Sequence, residues 1–171
     1  MHHARFAVEG IGSTCITHAI VRRVEATPGE QLAEVLGLLL HRGTRAHLYA
    51  SLTEGIDPTV DEATYPVLSG IARFGPCNAA SLAHDIGLDR SVVSRHASRL
   101  ERGGLLLRTP DPDDRRSTLL SLSEPGREAV AAMRRRLATI FDDHLATWPP
   151  AEAREFTTRL HRFVAEGPLR R

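Results

Sequence analysis

The sequence predicts a mostly α-helical fold carrying a small β-hairpin, a winged helix-turn-helix of about six helices. Three observations predict it. Apolar residues recur at three- and four-residue spacing along most of the chain from residue 30 onward. Two short helical patterns, near 79–86 and 90–102, are separated only by Gly87, Leu88 and Asp89. Directly after them the period changes to a strand, a turn-rich loop and a return strand. Aromatics are only 5% of the 171 residues, and 42% hydrophobic against 25% charged is the balance of one globular domain with a real core.

The elements follow in order. Residues 1–28 show no sustained period, and Pro28-Gly29 closes them as an N-terminal extension. Leu32, Val35, Leu36, Leu39 and Leu40, continued by Gly43 and Ala46, predict one amphipathic helix over 30–53, stopped by Gly55, Asp57 and Pro58. A second helix is expected from Asp61 as N-cap to Gly75-Pro76, with Tyr65, Leu68, Ile71 and Ala72 on its apolar face. Pro66 then falls in the second turn, where it should remove a backbone bond or kink the helix.

Asn78 is the expected cap of a short helix with Leu82, Ala83 and Ile86 inward, ended by Gly87 in the left-handed conformation. Asp89 caps the next, which Gly103-Gly104 ends. Its apolar face is Val93, Ala97 and Leu100; its other face carries Arg90, Ser91, Ser94, Arg95, Ser98 and Arg102. Strands are expected at 105–109 and 117–121, joined by a loop rich in Pro and Asp. Ser123 caps a long helix to about Thr147, with Val130, Met133, Leu137, Ile140, Phe141 and Leu145 on one stripe. Trp148-Pro149-Pro150 breaks it, and a last helix holds Phe156, Leu160, Phe163 and Val164.

Charge and cysteine usage narrow the functions. The formal net charge is +1, so attraction to nucleic acid must come from a local patch. All 22 basic residues are arginine. Two cysteines, Cys15 and Cys77, make neither a disulfide framework nor a zinc site, which fits a reducing compartment. No apolar stretch reaches 18 residues and no secretory signal core is legible, so no membrane partner is expected and a cytoplasmic location is. No phosphate loop, nucleophile elbow or metalloprotease motif appears, so an enzyme reading is disfavoured and no cofactor is expected. The nine histidines show no dense ligand spacing and read as solvated or core-edge residues; no metal site is expected.

The helix-turn-helix points to double-stranded DNA. The major groove admits one helix, and base edges there present a distinct donor and acceptor code. Ser91, Ser94 and Arg95, early on the second helix, are placed nearest base edges; Arg99 and Arg102 suit phosphates, and so does Ser81 on the helix before; Arg90, on the same outward face, is a further DNA-binding candidate. At the hairpin tip Arg115 and Arg116 are the candidates for a narrow minor groove, with Asp114 bracing Arg116 by a charge-assisted bond. The alternative at each position is a solvated charged surface; the tight helix-turn-helix immediately before the hairpin argues against it. A rival reading, a winged helix used only for protein contacts, predicts no steep salt dependence of DNA binding.

The run from Ser81 to Arg95, then Leu100-Glu101-Arg102-Gly103-Gly104-Leu105, Asp111-Pro112-Asp113-Asp114-Arg115-Arg116 and Leu120-Ser121-Leu122-Ser123-Glu124-Pro125-Gly126-Arg127, resembles the MarR family of regulators. The resemblance covers about residues 30–166, with its motifs concentrated in 78–127. It implies a homodimer whose first and last two helices intertwine, a palindromic site on DNA, and Arg116 as the wing arginine that enters the minor groove. It also implies a repressor released by a small ligand bound between dimerisation helices and DNA lobe. The chain departs from the family pattern at its N-terminal extension and at Pro66. The resulting division is 1–28 extension, 29–58 with 123–171 dimerisation region, and 59–122 DNA-binding lobe.

Apolar stripes on the first, fifth and sixth helices support the dimer independently, since so small a lobe does not cover them. A twofold dimer sets the two recognition helices roughly 34–36 Å apart, one turn of DNA. His41, Arg45 and Tyr65 are the candidate lining of the ligand pocket, suited to a small anionic or aromatic molecule. Cys15 as an oxidation sensor is an alternative mode of regulation; Cys77 reads as packing.

Overall fold

The computed structural model describes residues 26–114 and 116–168. The chain divides into two compact units, residues 1–44 and 45–171. The described residues form seven helices and three strands, one helix and one strand more than the sequence pattern suggests.

The first unit contains α1 (Pro28–Leu40). Thr27 and Glu30 form a capping box: the Thr27 hydroxyl accepts the Glu30 N–H, and the Glu30 carboxylate accepts the Thr27 N–H at 2.7 Å. Pro28, which the sequence reading placed in the break, is thus the first helical residue, where a missing N–H leaves nothing unsatisfied. The expected helix 30–53 is two helices. His41 is extended, with φ −60° and ψ 135°, and its Nδ1 accepts the Gly43 N–H at 3.2 Å. That ring nitrogen takes a donor that a continuous helix would send to a carbonyl one turn back, and the chain restarts as α2 (Arg42–Thr53). Apolar spacing is blind to such a side-chain cap. No residue of α1 is buried.

The second unit holds α3 (Tyr65–Phe74), β1 (Cys77–Asn78), α4 (Ala79–Ile86), α5 (Arg90–Arg102), β2 (Leu106–Pro110), β3 (Thr118–Leu122), α6 (Glu124–Leu145) and α7 (Pro150–Glu166). Helix α3 begins three residues later than expected, with Thr64 and not Asp61 at its N-cap position. Asp61 does cap, but it caps a turn: its carboxylate accepts the N–H groups of Ala63 at 3.0 Å and Thr64 at 2.9 Å. Pro66 therefore sits in the first turn of α3, where no bond is lost and no kink is needed. Strand β1 was not foreseen, because two residues leave no periodicity to read. It pairs with β3 through Cys77 opposite Leu120, and the antiparallel order is β1-β3-β2. The caps at Asn78 and Ser123 are as expected, and Gly87 is left-handed, φ 68° and ψ 39°.

The core lies where α3, α4, α5, the sheet and the start of α6 meet. Val67, Leu68, Leu82, Val93, Ala97 and Leu100 are fully buried, joined by Ile71, Leu106, Leu120, Val130 and Met133. Each large aliphatic side chain so buried contributes about 1.5–3 kcal/mol. The sheet meets α6 through Ser123, whose Oγ donates to the Gly104 carbonyl at 2.5 Å and accepts the Gly126 N–H at 3.1 Å. This brings Gly126 against the backbone of Leu105, and a Cβ there would run into the Leu105 carbonyl.

The link from α2 to α3 is tied to α5. Arg99 donates from one terminal nitrogen to Asp61 Oδ2 at 2.5 Å and from the other to the Pro58 carbonyl at 3.2 Å. Partial burial works to raise the Asp61 carboxyl, but hydrogen bonds from Thr64 and Arg99 prevail and hold it below the usual carboxylate range.

Two outcomes follow for stability. Gly126→Ala is expected to cost about 1–3 kcal/mol through overpacking against rigid backbone, read as a lowered urea midpoint; an unchanged midpoint contradicts the close approach. Because the folded Asp61 titrates below its unfolded value, its contribution is complete above about pH 4 and is lost as pH falls through the folded value. Urea melts from pH 7 to pH 3 should show Asp61→Asn less stable than wild type at neutral pH, with the gap closing below about pH 4. A gap independent of pH refutes the assignment.

Candidate nucleic-acid interface

Helix α5 has two chemically opposite faces. Val93, Ala97 and Leu100 are fully buried. Arg90, Ser91 and Arg95 are exposed, Ser94 and Ser98 are half-buried beside them, and Arg102 is exposed at the end. Asp89 precedes the first turn in extended conformation, although its side chain makes no capping bond. Burial, aided by Arg95, pushes the His96 imidazole below its ordinary value, so the positive charge of this face comes from arginine.

Ser81 is exposed in the first turn of α4, where its N–H donates to the Asn78 side chain at 2.9 Å. The Asn78 cap takes the Ala80 and Ser81 N–H groups, so what Ser81 offers outward is its hydroxyl, near the positive end of the helix dipole. Arg99 stands apart from the other expected phosphate ligands. Two of its guanidinium nitrogens are engaged by Asp61 and Pro58, so it grips the protein itself.

The hairpin is held as one piece with α5 by a residue the sequence reading passed over. Arg108 on β2 donates to Glu101 at 2.7 Å and to the Ser98 hydroxyl at 3.0 Å, both on α5. An acid and a base seven residues apart, across a helix end and a strand start, follow neither helical nor strand spacing. At the tip, Asp111 accepts the Asp113 N–H at 3.0 Å and Asp114 accepts the Arg116 N–H at 2.9 Å. Asp114 thus braces Arg116 through its backbone; the expected bond to the guanidinium is replaced by a turn. Arg116 is exposed. Arg115 lies outside the described residues, as does Cys15.

The expected ligand-pocket residues part company. Tyr65 stacks on Tyr49, ring centroids 4.4 Å apart, and lines a cavity of about 250 Å³ with Pro66, Ser69, Arg73 and Asp85. Partial burial raises its phenol above the ordinary value. Arg45 is exposed on α2, and His41 is the cap between α1 and α2. Neither lines this cavity. A larger cavity of about 590 Å³ opens between α3, β3 and α6, walled by Ile71, Leu122 and Val130 and edged by Arg127, Arg134 and Arg135. Cys77 is half-buried, and burial pushes its thiol up, away from reactivity. Among the described residues no three His, Cys, Asp or Glu side chains gather as a metal site, and no helix is long and apolar enough to cross a membrane.

Comparison with known proteins gives the same answer as this geometry. A sequence profile described as the MarR family matches residues 61–118, which run from the Asp61 turn through the hairpin. A putative transcriptional regulatory protein for the hcr operon of Thauera aromatica is 30% identical over 145 residues, covering 80% of this chain and 85% of that protein. The crystal structure of wild-type MarR from E. coli superposes with a TM-score of 0.64 at 18% identity, over 82% of this chain and 99% of that one. The PcaV transcriptional regulator from Streptomyces coelicolor, solved in complex with its natural ligand, gives 0.51 at 23% identity, over 82% and 94%. With an outward arginine- and serine-bearing helix, an adjoining hairpin and relatives of this kind, the chain belongs to the MarR family of winged helix-turn-helix, DNA-binding transcriptional regulators.

Proposed function

We propose that this regulator is a homodimeric repressor that reads a palindromic operator with α5 and is released by a small anionic ligand. The observation that carries the DNA reading is the division of α5: one face is locked in the core, so the other is held outward in a fixed orientation. Ser91, Ser94 and Arg95 meet base edges in the major groove, Arg90 and Ser81 meet phosphates, and Arg116 enters the flanking minor groove. The Arg108 bridge supports helix and hairpin acting together.

Exposed apolar side chains support the dimer. On α1, Leu38, Leu39 and Leu40 are exposed, and on α6 and α7 so are Phe141, Phe156, Leu160 and Val164. No residue of α1 or α7 is buried within the chain. Helices of this kind bury their stripes against a second copy. The expected division into a dimerisation region, 29–58 with 123–171, and a DNA lobe, 59–122, fits this reading. The 590 Å³ cavity has the size and lining of a small-molecule site, and its arginines select for an anion. That PcaV, a protein of the same fold, holds a natural ligand supports regulation by such a molecule.

The operator is obtained by selecting bound sites from random DNA. On that operator Arg116→Ala is expected to weaken binding by roughly 1–3 kcal/mol without loss of fold, and Arg95→Ala to relax base preference as well as affinity. Unchanged binding of Arg116→Ala in a gel shift removes the wing from the interface, and a loss uniform across sequences makes Arg95 a phosphate contact. Benzoate, as a probe aromatic carboxylate, should release the wild-type protein from DNA, with Arg134→Ala requiring about tenfold more. Equal release of both proteins, or of neither, excludes this cavity.

A further inference from the structure

We infer that the segment from Glu54 to Thr64 is a rigid strut, clamped by Arg136 at one end and Arg99 at the other, and that these two arginines are positioning residues that set the recognition helix relative to the long helix α6. The inference rests on the assignment of α5 as the recognition helix. It adds a role for residues outside the DNA-facing set.

The first clamp lies at the end of α2. The carbonyls of Ala50 and Thr53 accept backbone N–H groups from Glu54 and Ile56, both at 3.1 Å. Arg136 on α6 fills the places between and beyond. One terminal nitrogen lies 3.2 Å from the Ser51 carbonyl, 3.1 Å from Leu52 and 2.7 Å from Glu54. A cation at a helix C-terminus meets orphan acceptors and the negative end of the helix dipole together. Arg136 is half-buried; its bonds to Ser51 and Leu52 are partly shielded, and the shortest, to Glu54, lies at the surface.

The segment itself is internally braced. Asp57 Oδ1 accepts both the N–H and the hydroxyl of Thr59, at 2.7 and 2.5 Å. Thr64 is fully buried; its hydroxyl accepts the Asp61 N–H at 2.9 Å and donates to the Thr59 carbonyl at 3.1 Å. The second clamp is the Arg99 fork onto Asp61 and Pro58. Beside it the Thr59 side chain fills the space where a Cβ on Gly103, just past the end of α5, would stand. Two hydrogen-bonded stretches, from Arg136 to Ile56 and from Asp57 to Arg99, joined by the Ile56–Asp57 peptide link, thus connect α6 to the last turn of α5.

If the strut works as one body, releasing either end frees it. The test uses wild type, Asp61→Asn, Arg136→Gln and the double variant, on the selected operator and on the same site with one base pair inserted at its centre. Each single variant should bind the operator about tenfold more weakly and lose much of the discrimination against the inserted site. The salt slope should stay at the wild-type value, because no phosphate contact is removed. The double variant should lose no more than the weaker single. Asp61→Asn separates the possibilities by sign. Removing a negative charge and freeing Arg99 strengthens binding if Arg99 serves phosphate, and weakens it if Arg99 serves the strut.

Additive losses, retained discrimination, or tighter binding by Asp61→Asn overturn the strut. If Arg136→Gln fails to fold, Arg136→Met, which keeps a long stem and loses every donor to the Ser51, Leu52 and Glu54 carbonyls, carries the same comparison. A wild-type protein that selects no twofold-symmetric site defeats the recognition-helix reading itself, and the strut with it.

Discussion

The burial of one face of α5 is the constraint on which the rest of the lobe depends. Val93, Ala97 and Leu100 have no exposure, and they meet α3, α4 and the sheet from one side. A helix anchored by a single stripe has no rotational freedom about its axis: turning it would drag aliphatic surface into water and arginines into the core. The polar face is therefore oriented before any DNA is met. Preorganisation of this kind spares the cost of ordering long side chains and backbone at the moment of binding.

Arginine does most of the remaining structural work. Arg99, Arg108 and Arg136 each join two elements: α5 to the segment before α3, β2 to α5, and α6 to the end of α2; Arg99 and Arg108 do so through two nitrogens of the guanidinium, Arg136 through one. A lysine ammonium is a compact, strongly hydrated point charge and would not span two acceptors in fixed geometry. The same residue type meets solvent at Arg90, Arg95 and Arg116. What separates the two groups is the presence of an acid or an open carbonyl within reach, a property of the fold and not of the residue.

Much of this was legible in the sequence where periodicity and capping chemistry act locally. The helix-turn-helix emerged from the stripe Leu82, Ala83, Ile86, the cap Asn78 and the turn at Gly87, and the structure has each in that role. What escaped were features set by side chains reaching across elements. The break at His41 depends on a ring nitrogen capturing one N–H. The late start of α3 depends on Asp61 being occupied by its own turn and by Arg99. Pro66 looked misplaced only because that start was set too early. Of the expected pocket residues Tyr65 alone lines a cavity near the lobe, since pocket walls are assembled from segments with no sequence relation to one another.

The Arg108 bridge has a mechanical consequence. It fastens the middle of β2 to the last turns of α5, and the loop projects beyond it. Arg108 is the middle residue of β2, so two strand residues, about 7 Å at roughly 3.3 Å per residue, carry the ribbon from it toward the loop. A tilt of about 10° there would move the end of the strand by about 1 Å, a fraction of the length of a hydrogen bond. A bridge set so close to the loop leaves little of the ribbon free to swing, so the hairpin and α5 move as one body.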